Sequence, residues 1–319
     1  MLRITNNIRN RLSTMRSLLR RLSQDQPKYE QIIEDYRLRE VGVLGEERMK
    51  KKLAELRLQI PYVLLQDVNL ADGEWKTQID FLLITDRVCL VLEAKNISGE
   101  LYFDDKTEEF YRFNQEGNKK YFPNPHYQVL KNIRFMENWF LRHNIPLPVT
   151  GAAFMTAKNS RLVTKPPVYR VYKLETLIEK ISAMLSHFSS PLLSYDDISH
   201  LKNTFSFIQE HFKPPPLCNY YKLHHSEIET GVICPSCGQL PMEWKMIWLC
   251  PFCGFKSRDA HHSAIKDYLT IVKPTITNKE FRQFCHVTSV YTASRMLRLK
   301  CLDAKNLTSG RVYTLKESE

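Results

Sequence analysis

Apolar residues recur at Met15, Leu18, Leu19 and Leu22 and again at Ile32, Ile33 and Tyr36, the spacing of an amphipathic helix. From Gly42 a new stripe begins. Glu46, Met49, Leu53 and Leu56 fall on one helical face, and Glu47, Arg48, Lys50, Lys51 and Lys52 take the other. Glu46 therefore lies on the apolar side and Glu47 does not. After Pro61, residues 62–68, 77–85 and 88–95 are β-branched and apolar, and the short links at Asp72-Gly73 and Asp86-Arg87 predict strands joined as two hairpins. Residues 101–103 and 110–113 predict a further ribbon, and Pro123-Asn124-Pro125 precedes a helix over 126–142 with Val129, Ile133, Met136, Trp139 and Phe140 on its apolar face. A strand over 149–155 and a helix over 174–185 follow. The order helix, three strands, helix, strand predicts an α/β layer with a mixed sheet flanked by helices, since hairpins are antiparallel and a late helix permits a parallel crossover.

Ser189-Ser190-Pro191 marks a boundary, residues 196–211 read as a helix, and Pro214-Pro215-Pro216 is a stiff spacer. Beyond Lys273-Pro274, Thr277 and Glu280 form a capping box ahead of Phe281 and Phe284, and a second helix is expected near Val290. These breaks divide the chain into a basic helical segment (1–41), an α/β domain (42–190), a helical linker (191–229), a cysteine module (230–262) and a C-terminal domain (263–319).

The chain of 319 residues is 43% hydrophobic and 25% charged, which excludes wholesale disorder, collagen and coiled coil. Its apolar runs are cut by charges such as Asp86 and Arg87, so no bilayer-spanning segment is expected and the chain reads as soluble, with no membrane partner. A formal charge of +11 favours a polyanionic partner, nucleic acid (DNA) first and an anionic membrane surface second. The opening stretch carries Arg3, Arg9, Arg11, Arg16, Arg20 and Arg21 without an acid, the composition of a mitochondrial transit peptide. Its helical periodicity instead favours a structural or DNA-skimming helix. The cysteine spacing fits a reducing, cytoplasmic setting, and homo-oligomerisation is left open.

Asp80 sits in a strand apolar enough to be covered on both faces, where an isolated carboxylate is costly. In the next strand Glu93 and Lys95, two residues apart, leave the same face of the sheet. The hairpin can bring Asp80 beside them. Two converging carboxylates repel unless a divalent cation neutralises them, and hard oxygen ligands suit Mg²⁺ or Mn²⁺. Lys95 would orient water or steady charge on a phosphate oxygen, and Glu46 is placed to join the group. The bland alternative is a buried ion-pair network with only a structural duty.

Gly45-Glu46, Gln78-Ile79-Asp80, Glu93-Ala94-Lys95-Asn96 and Asn124-Pro125 with Gln128, in that order, resemble the NERD (nuclease-related) domain, a branch of the PD-(D/E)XK nuclease superfamily. The resemblance covers about residues 42–144 and extends toward Leu185. It implies a metal-dependent phosphodiesterase core in which Asp80 and Glu93 bind the metal, Lys95 assists the attacking water and Glu46 completes the acidic site. Gln128 resembles the accessory glutamine of related nucleases, without the tyrosine that follows it in some of them.

Cys234-Pro-Ser-Cys237-Gly and Cys250-Pro-Phe-Cys253-Gly are two matching knuckles, the pattern of a Cys₄ zinc site, with an intervening hairpin over 242–249 that would make a zinc ribbon. His261 and His262, just beyond, are expected at the surface. Residues 275–315 resemble a winged-helix domain, with 277–285 and 289–300 as its helix pair, 304–315 as wing, and Arg295 and Arg298 on the second helix as nucleic-acid contacts; the alternative is a small helical cap with a solvated basic face. The combined expectation is a metal-dependent DNA nuclease. The rivals are a non-catalytic DNA-binding or regulatory protein that keeps the fold, and a partner-binding scaffold.

Overall fold

A computed structural model describes residues 7–212, 214–305 and 311–316. Expectations for residues 1–6 and 306–310, the start of the basic segment and the middle of the wing, lie outside the described residues. Two helices come first, α1 (Asn7–Leu19) and α2 (Tyr29–Leu53). The expected single stripe is thus broken at residues 20–28, whereas Gly42 and Gly45 sit inside one continuous α2. Contacts divide the chain into two units, one built mainly of residues 39–212 and the other of residues 9–38 with 213–319.

The first unit contains β1 (Tyr62–Asp72), β2 (Trp75–Thr85), β3 (Cys89–Lys95), β4 (Gly99–Phe103), β5 (Phe110–Phe113), β6 (Lys119–Phe122), α3 (Pro125–Arg142), β7 (Val149–Met155), β8 (Ser160–Thr164), β9 (Val171–Lys173), α4 (Leu177–Leu185) and α5 (Tyr195–His211). Its main sheet has the order β1-β2-β3-β7-β9, antiparallel through β3 and parallel from β3 to β9, so the expected mixed α/β layer is present. Alternation along the strands gives each face its own core. Phe81, Leu83, Leu90, Leu92 and Phe154 pack with Met49 and Leu53 of α2 and Leu177 and Ile181 of α4. Leu82, Ile84, Val91 and Met155 pack with Val129, Ile133, Met136 and Phe140 of α3 and with Leu201 and Phe205 of α5. Burial on both faces explains why these strands read as unbroken apolar runs.

A second sheet, ordered β6-β5-β4-β8, grows from the ends of the main one: β4 begins four residues after Lys95 and β8 follows β7. Helix α5 belongs to this unit, because the Gln209 side chain receives the Asn69 N–H at 2.8 Å and donates to the Asn69 carbonyl at 2.9 Å. The Leu192 and Leu193 amides also donate to the Asp86 carbonyl at 2.7 and 3.0 Å, so Ser189-Ser190-Pro191 does not end the unit.

The second unit adds α6 (Leu217–Tyr221), β10 (Glu243–Trp244), β11 (Trp248–Leu249), β12 (Lys256–Ser257), α7 (His261–Asp267) with a π-helical continuation over Tyr268–Val272, β13 (Ile276–Thr277), α8 (Asn278–Cys285), α9 (Val290–Met296), β14 (Leu302–Lys305) and β15 (Val312–Leu315). The cysteine module forms a three-stranded sheet, β10-β11-β12, and the C-terminal strands another, β13-β15-β14. The Thr277–Glu280 capping box forms as expected at the start of α8. Helix α9 stops at Met296, with Leu297 as its C-cap, so it is shorter than the expected helix over 289–300 and leaves Arg298 outside it.

Three arginines of the basic start, Arg11, Arg16 and Arg21, are engaged by their own unit. Arg21, fully buried, donates through Nε and Nη2 to Asp267 Oδ2 at 3.2 and 3.0 Å and through Nη1 to the Glu229 and Gly231 carbonyls, each at 3.0 Å. Its guanidinium also lies 4.8 Å from the Phe284 ring centroid. Arg11 Nη1 donates to the Pro215 carbonyl at 3.0 Å, and Arg16 Nη2 donates to the Tyr36 hydroxyl at 2.7 Å. Among the described residues no helix is long and apolar enough to cross a membrane.

Candidate active site

The β2–β3 register pairs Phe81 with Leu92, so Asp80, one step further, faces Glu93. Directly opposed residues share a sheet face, and Lys95 joins Glu93 on it. The two carboxyl groups lie within hydrogen-bonding reach of each other, an arrangement that requires a shared proton or a cation. The Ala94 N–H donates to Asp80 Oδ2 at 2.8 Å. Burial raises the Glu93 carboxyl well above the usual range, repulsion from Asp80 adds to this, and Lys95 opposes both. Burial likewise raises Asp80 against the pull of Lys95 and the Ala94 amide.

Gln128 and Asn132, one turn apart on α3, orient the buried Glu93. Gln128 Nε2 donates to Oε2 at 2.7 Å and Asn132 Nδ2 to Oε1 at 2.5 Å, and the Thr77 hydroxyl donates to Asn132 Oδ1 at 2.5 Å. Asn132 escaped sequence reasoning, although a polar residue between Val129 and Ile133 on an apolar helix face was a visible signal.

Glu46 arrives from α2, on the opposite face of the sheet. A Cβ on Gly45 would meet Thr156 Oγ1 at 2.6 Å and Asn96 Cβ at 2.7 Å, so only glycine lets the helix approach the strand ends this closely. Asn96 ties down the same helix: its Nδ2 donates to the Val41 carbonyl at 2.7 Å, and its Oδ1 accepts from Arg48 Nη1 at 3.0 Å. Thus the glycine before Glu46 and the asparagine after Lys95 place Glu46 where Asp80 and Asp67 act on it. Burial first, then these two charges, raise its carboxyl to about 8.

Asp67 is the second residue that sequence reasoning missed. Gln66 pairs with Phe81 and Val68 with Ile79, leaving Asp67 opposite Asp80 and putting carboxylates 67, 80 and 93 in a row across three strands. Its backbone is left-handed (φ 54°), a conformation that aspartate tolerates better than most residues. Oδ1 accepts from Asn69 at 3.1 Å and Gln78 at 2.8 Å, while buried Oδ2 has no hydrogen-bond partner. Burial raises this carboxyl to about 6 despite the two donors. Such a set fits a hard cation, because a buried carboxylate oxygen lacking a donor is stabilised by positive charge. Glu46, Asp67, Asp80 and Glu93 do not bring three ligand atoms within 4.8 Å of one another, so the arrangement suits an ion held by the Asp80–Glu93 pair and water rather than a closed cage.

In the second unit the four thiols of Cys234, Cys237, Cys250 and Cys253 all lie within 4.8 Å of one another. The Cys234–Cys253 and Cys237–Cys250 sulfur separations of 3.7 and 3.6 Å match the tetrahedral edge of about 3.8 Å implied by metal–sulfur bonds of about 2.3 Å. Gly238 and Gly254, at φ 75° and 73°, close each knuckle by donating N–H to the Cys234 and Cys250 carbonyls. Burial would raise the Cys250 thiol, but amides of Cys253 and Phe252 and the neighbouring thiols bring it down to about 7, while Cys237, against the pull of the Gln239 amide, is pushed up to about 12 by burial and those neighbours, the behaviour of thiols sharing protons in one cluster. His261 is not at the surface as expected. It is buried, its Nδ1 accepts from Trp248 Nε1 at 3.1 Å, and burial lowers its pKa to about 4, while His262 is exposed. Arg295 and Arg298 are both exposed.

An uncharacterized protein of Bacillus anthracis is 26% identical over 167 residues, covering 51% of this chain and 74% of that protein. No solved structure matches the chain significantly. Residues 41–156 match the nuclease-related domain family, a span that holds Glu46, Asp67, Asp80, Glu93, Lys95 and Gln128, and the chain thus carries a NERD domain.

Proposed function

We propose that the chain is a metal-dependent nuclease that hydrolyses DNA phosphodiester bonds. The observation that carries this reading is the meeting of Asp80 and Glu93 on one sheet face with Lys95 beside them, inside a nuclease-related domain. A Mg²⁺ or Mn²⁺ ion at Asp80 and Glu93 would polarise the scissile phosphate and make a bound water more acidic. Gln128 and Asn132 fix both Glu93 oxygens, so this carboxylate is held in place before substrate arrives. Lys95 provides a positive charge where charge develops on the phosphate oxygens. Glu46 completes the acidic site and, with its carboxyl raised to about 8, holds its proton at neutral pH until a cation is present.

The Cys₄ set fits structural Zn²⁺, and the second unit serves to hold the substrate. There α8, α9 and the β13-β15-β14 sheet form the winged-helix-like part, and exposed Arg295 and Arg298 supply phosphate contacts. Incubating plasmid and linear DNA with the purified chain tests this reading. Cleavage with Mn²⁺, abolished by EDTA and by Asp80→Ala, is expected; a Asp80→Ala protein that still cuts would remove Asp80 from the site, and wild-type protein that binds DNA without cutting would make the chain a DNA-binding protein.

A further inference from the structure

The second sheet of the NERD unit has two unlike faces. Strand register aligns Phe103, Phe110 and Phe122 on one side, where Leu101, Phe103 and Phe110 are buried in the core. On the other side Tyr102 pairs with Tyr111 and Tyr111 with Tyr121, a row of three tyrosines across β4, β5 and β6. Tyr102 and Tyr111 are stacked with ring centroids 5.6 Å apart and planes at 11°, and Tyr111 and Tyr121 lie 5.9 Å apart. Phe113 extends the patch, 5.3 Å from Tyr102 and 5.6 Å from Tyr111. Tyr121 and Phe113 are 55% and 47% exposed, so these rings cover no core of their own unit.

Charge accompanies the rings. Lys119 sits across from Phe113 with its ammonium 4.2 Å from the Tyr111 ring centroid. Glu100, the acid opposite Arg161 on this face, is already paired with it at 3.2 Å and accepts the Tyr102 hydroxyl. The hairpin carrying Phe113 and Lys119 is fixed by its turn, where Asn114 Oδ1 accepts the Glu116 and Asn118 amides at 3.0 and 2.8 Å.

We propose that this tyrosine face is a stacking platform for an unpaired, single-stranded segment of nucleic acid. Every base offers a π-face to such rings without regard to sequence, and nearby cations follow the phosphates. A duplex keeps those faces inside its stack, and rings standing on a β-sheet face, tilted by 54–85° to one another except for the Tyr102–Tyr111 pair, do not enter its grooves. Tyr102 follows Lys95 by seven residues, so this end of the platform lies within about 25 Å of Lys95, at extended-chain reach. A strand held there leads toward the catalytic edge, which makes the substrate a nucleic acid with a frayed, tailed or single-stranded portion.

This inference rests on the reading of the chain as acting on nucleic acid, and its test is kept separate from cleavage by working in EDTA. Fluorescence polarisation of the full chain with a labelled oligothymidylate and with a duplex of equal length is the measurement. Tyr121→Ala should weaken single-strand binding roughly five- to a hundred-fold, as expected for one lost base stack, and leave duplex binding unchanged. Tyr121→Phe, which keeps the ring, should bind as the parent does. The proposal is overturned if Tyr121→Ala binds the single strand normally, if both ligands weaken equally, or if Tyr121→Phe is as weak as Tyr121→Ala. Failure of the parent to cut DNA in Mn²⁺ would sink the nuclease reading and leave this binding comparison intact.

Discussion

Gln128 Nε2 donates to Glu93 Oε2 at 2.7 Å, so a side chain on α3 fixes the carboxylate proposed to hold the metal. With Asn132 on the other oxygen, it sets the direction in which Glu93 presents its charge. Removing such an orienting partner typically costs ten- to a hundred-fold in metal affinity or activity. Gln128→Leu should therefore raise the Mn²⁺ dissociation constant roughly ten- to a hundred-fold by calorimetry. An unchanged constant would make Gln128 a bystander.

Gly45→Ala tests how Glu46 is positioned. The new methyl meets Asn96 Cβ at 2.7 Å, so α2 must shift, at a cost of about 1–3 kcal/mol for an overpacked contact. Chemical denaturation should show that loss, and Mn²⁺-dependent cleavage should fall with it. Full stability and activity would mean that the approach of helix to strand ends is not tight.

The acidic group makes metal-free stability depend on pH. Glu46 ionises near 4.5 when unfolded and near 8 when folded, and Asp67 moves from 3.8 to about 6. Between these values the unfolded chain binds fewer protons than the folded one, so stability falls as pH rises. In EDTA the unfolding temperature should decline from about pH 5 to pH 8 and level off above, with Glu46→Gln flattening the decline. Mn²⁺, which stabilises the ionised carboxylates, should oppose it. A parent curve as flat as that of Glu46→Gln would contradict the burial of this group.

Arg21 lies in the core of the second unit, bound to Asp267 and two carbonyls. Breaking a buried pair by removing one partner costs about 3–5 kcal/mol because the other charge is left uncompensated. Arg21→Ala should lose that much stability in urea, whereas Arg20→Ala should lose little. Equal behaviour of the two would return the basic segment to a surface role.

Strands that are continuous apolar and β-branched runs, β2, β3 and β7, were readable from residues alone, as were α3 and the cysteine knuckles, whose paired spacing has few other uses. β6 and β9 were not, because Lys119-Lys120-Tyr121-Phe122 and Val171-Tyr172-Lys173 are short and take their state from neighbouring strands. The same limit applies to the site. Glu93 and Lys95 were legible from their two-residue spacing, and Glu46 from its place on an apolar stripe. Asp67 depends on hairpin register and a left-handed kink, and Arg21 and His261 on partners distant in sequence, none of which a local pattern carries.

The most direct measurement is anomalous diffraction from crystals of the protein soaked with Mn²⁺. A manganese peak is expected between the carboxylates of Asp80 and Glu93, absent in Asp80→Ala, with a separate zinc peak among Cys234, Cys237, Cys250 and Cys253. Wild-type crystals with the carboxylate pair bare in saturating Mn²⁺, or with both groups turned away from a common point, would contradict that expectation.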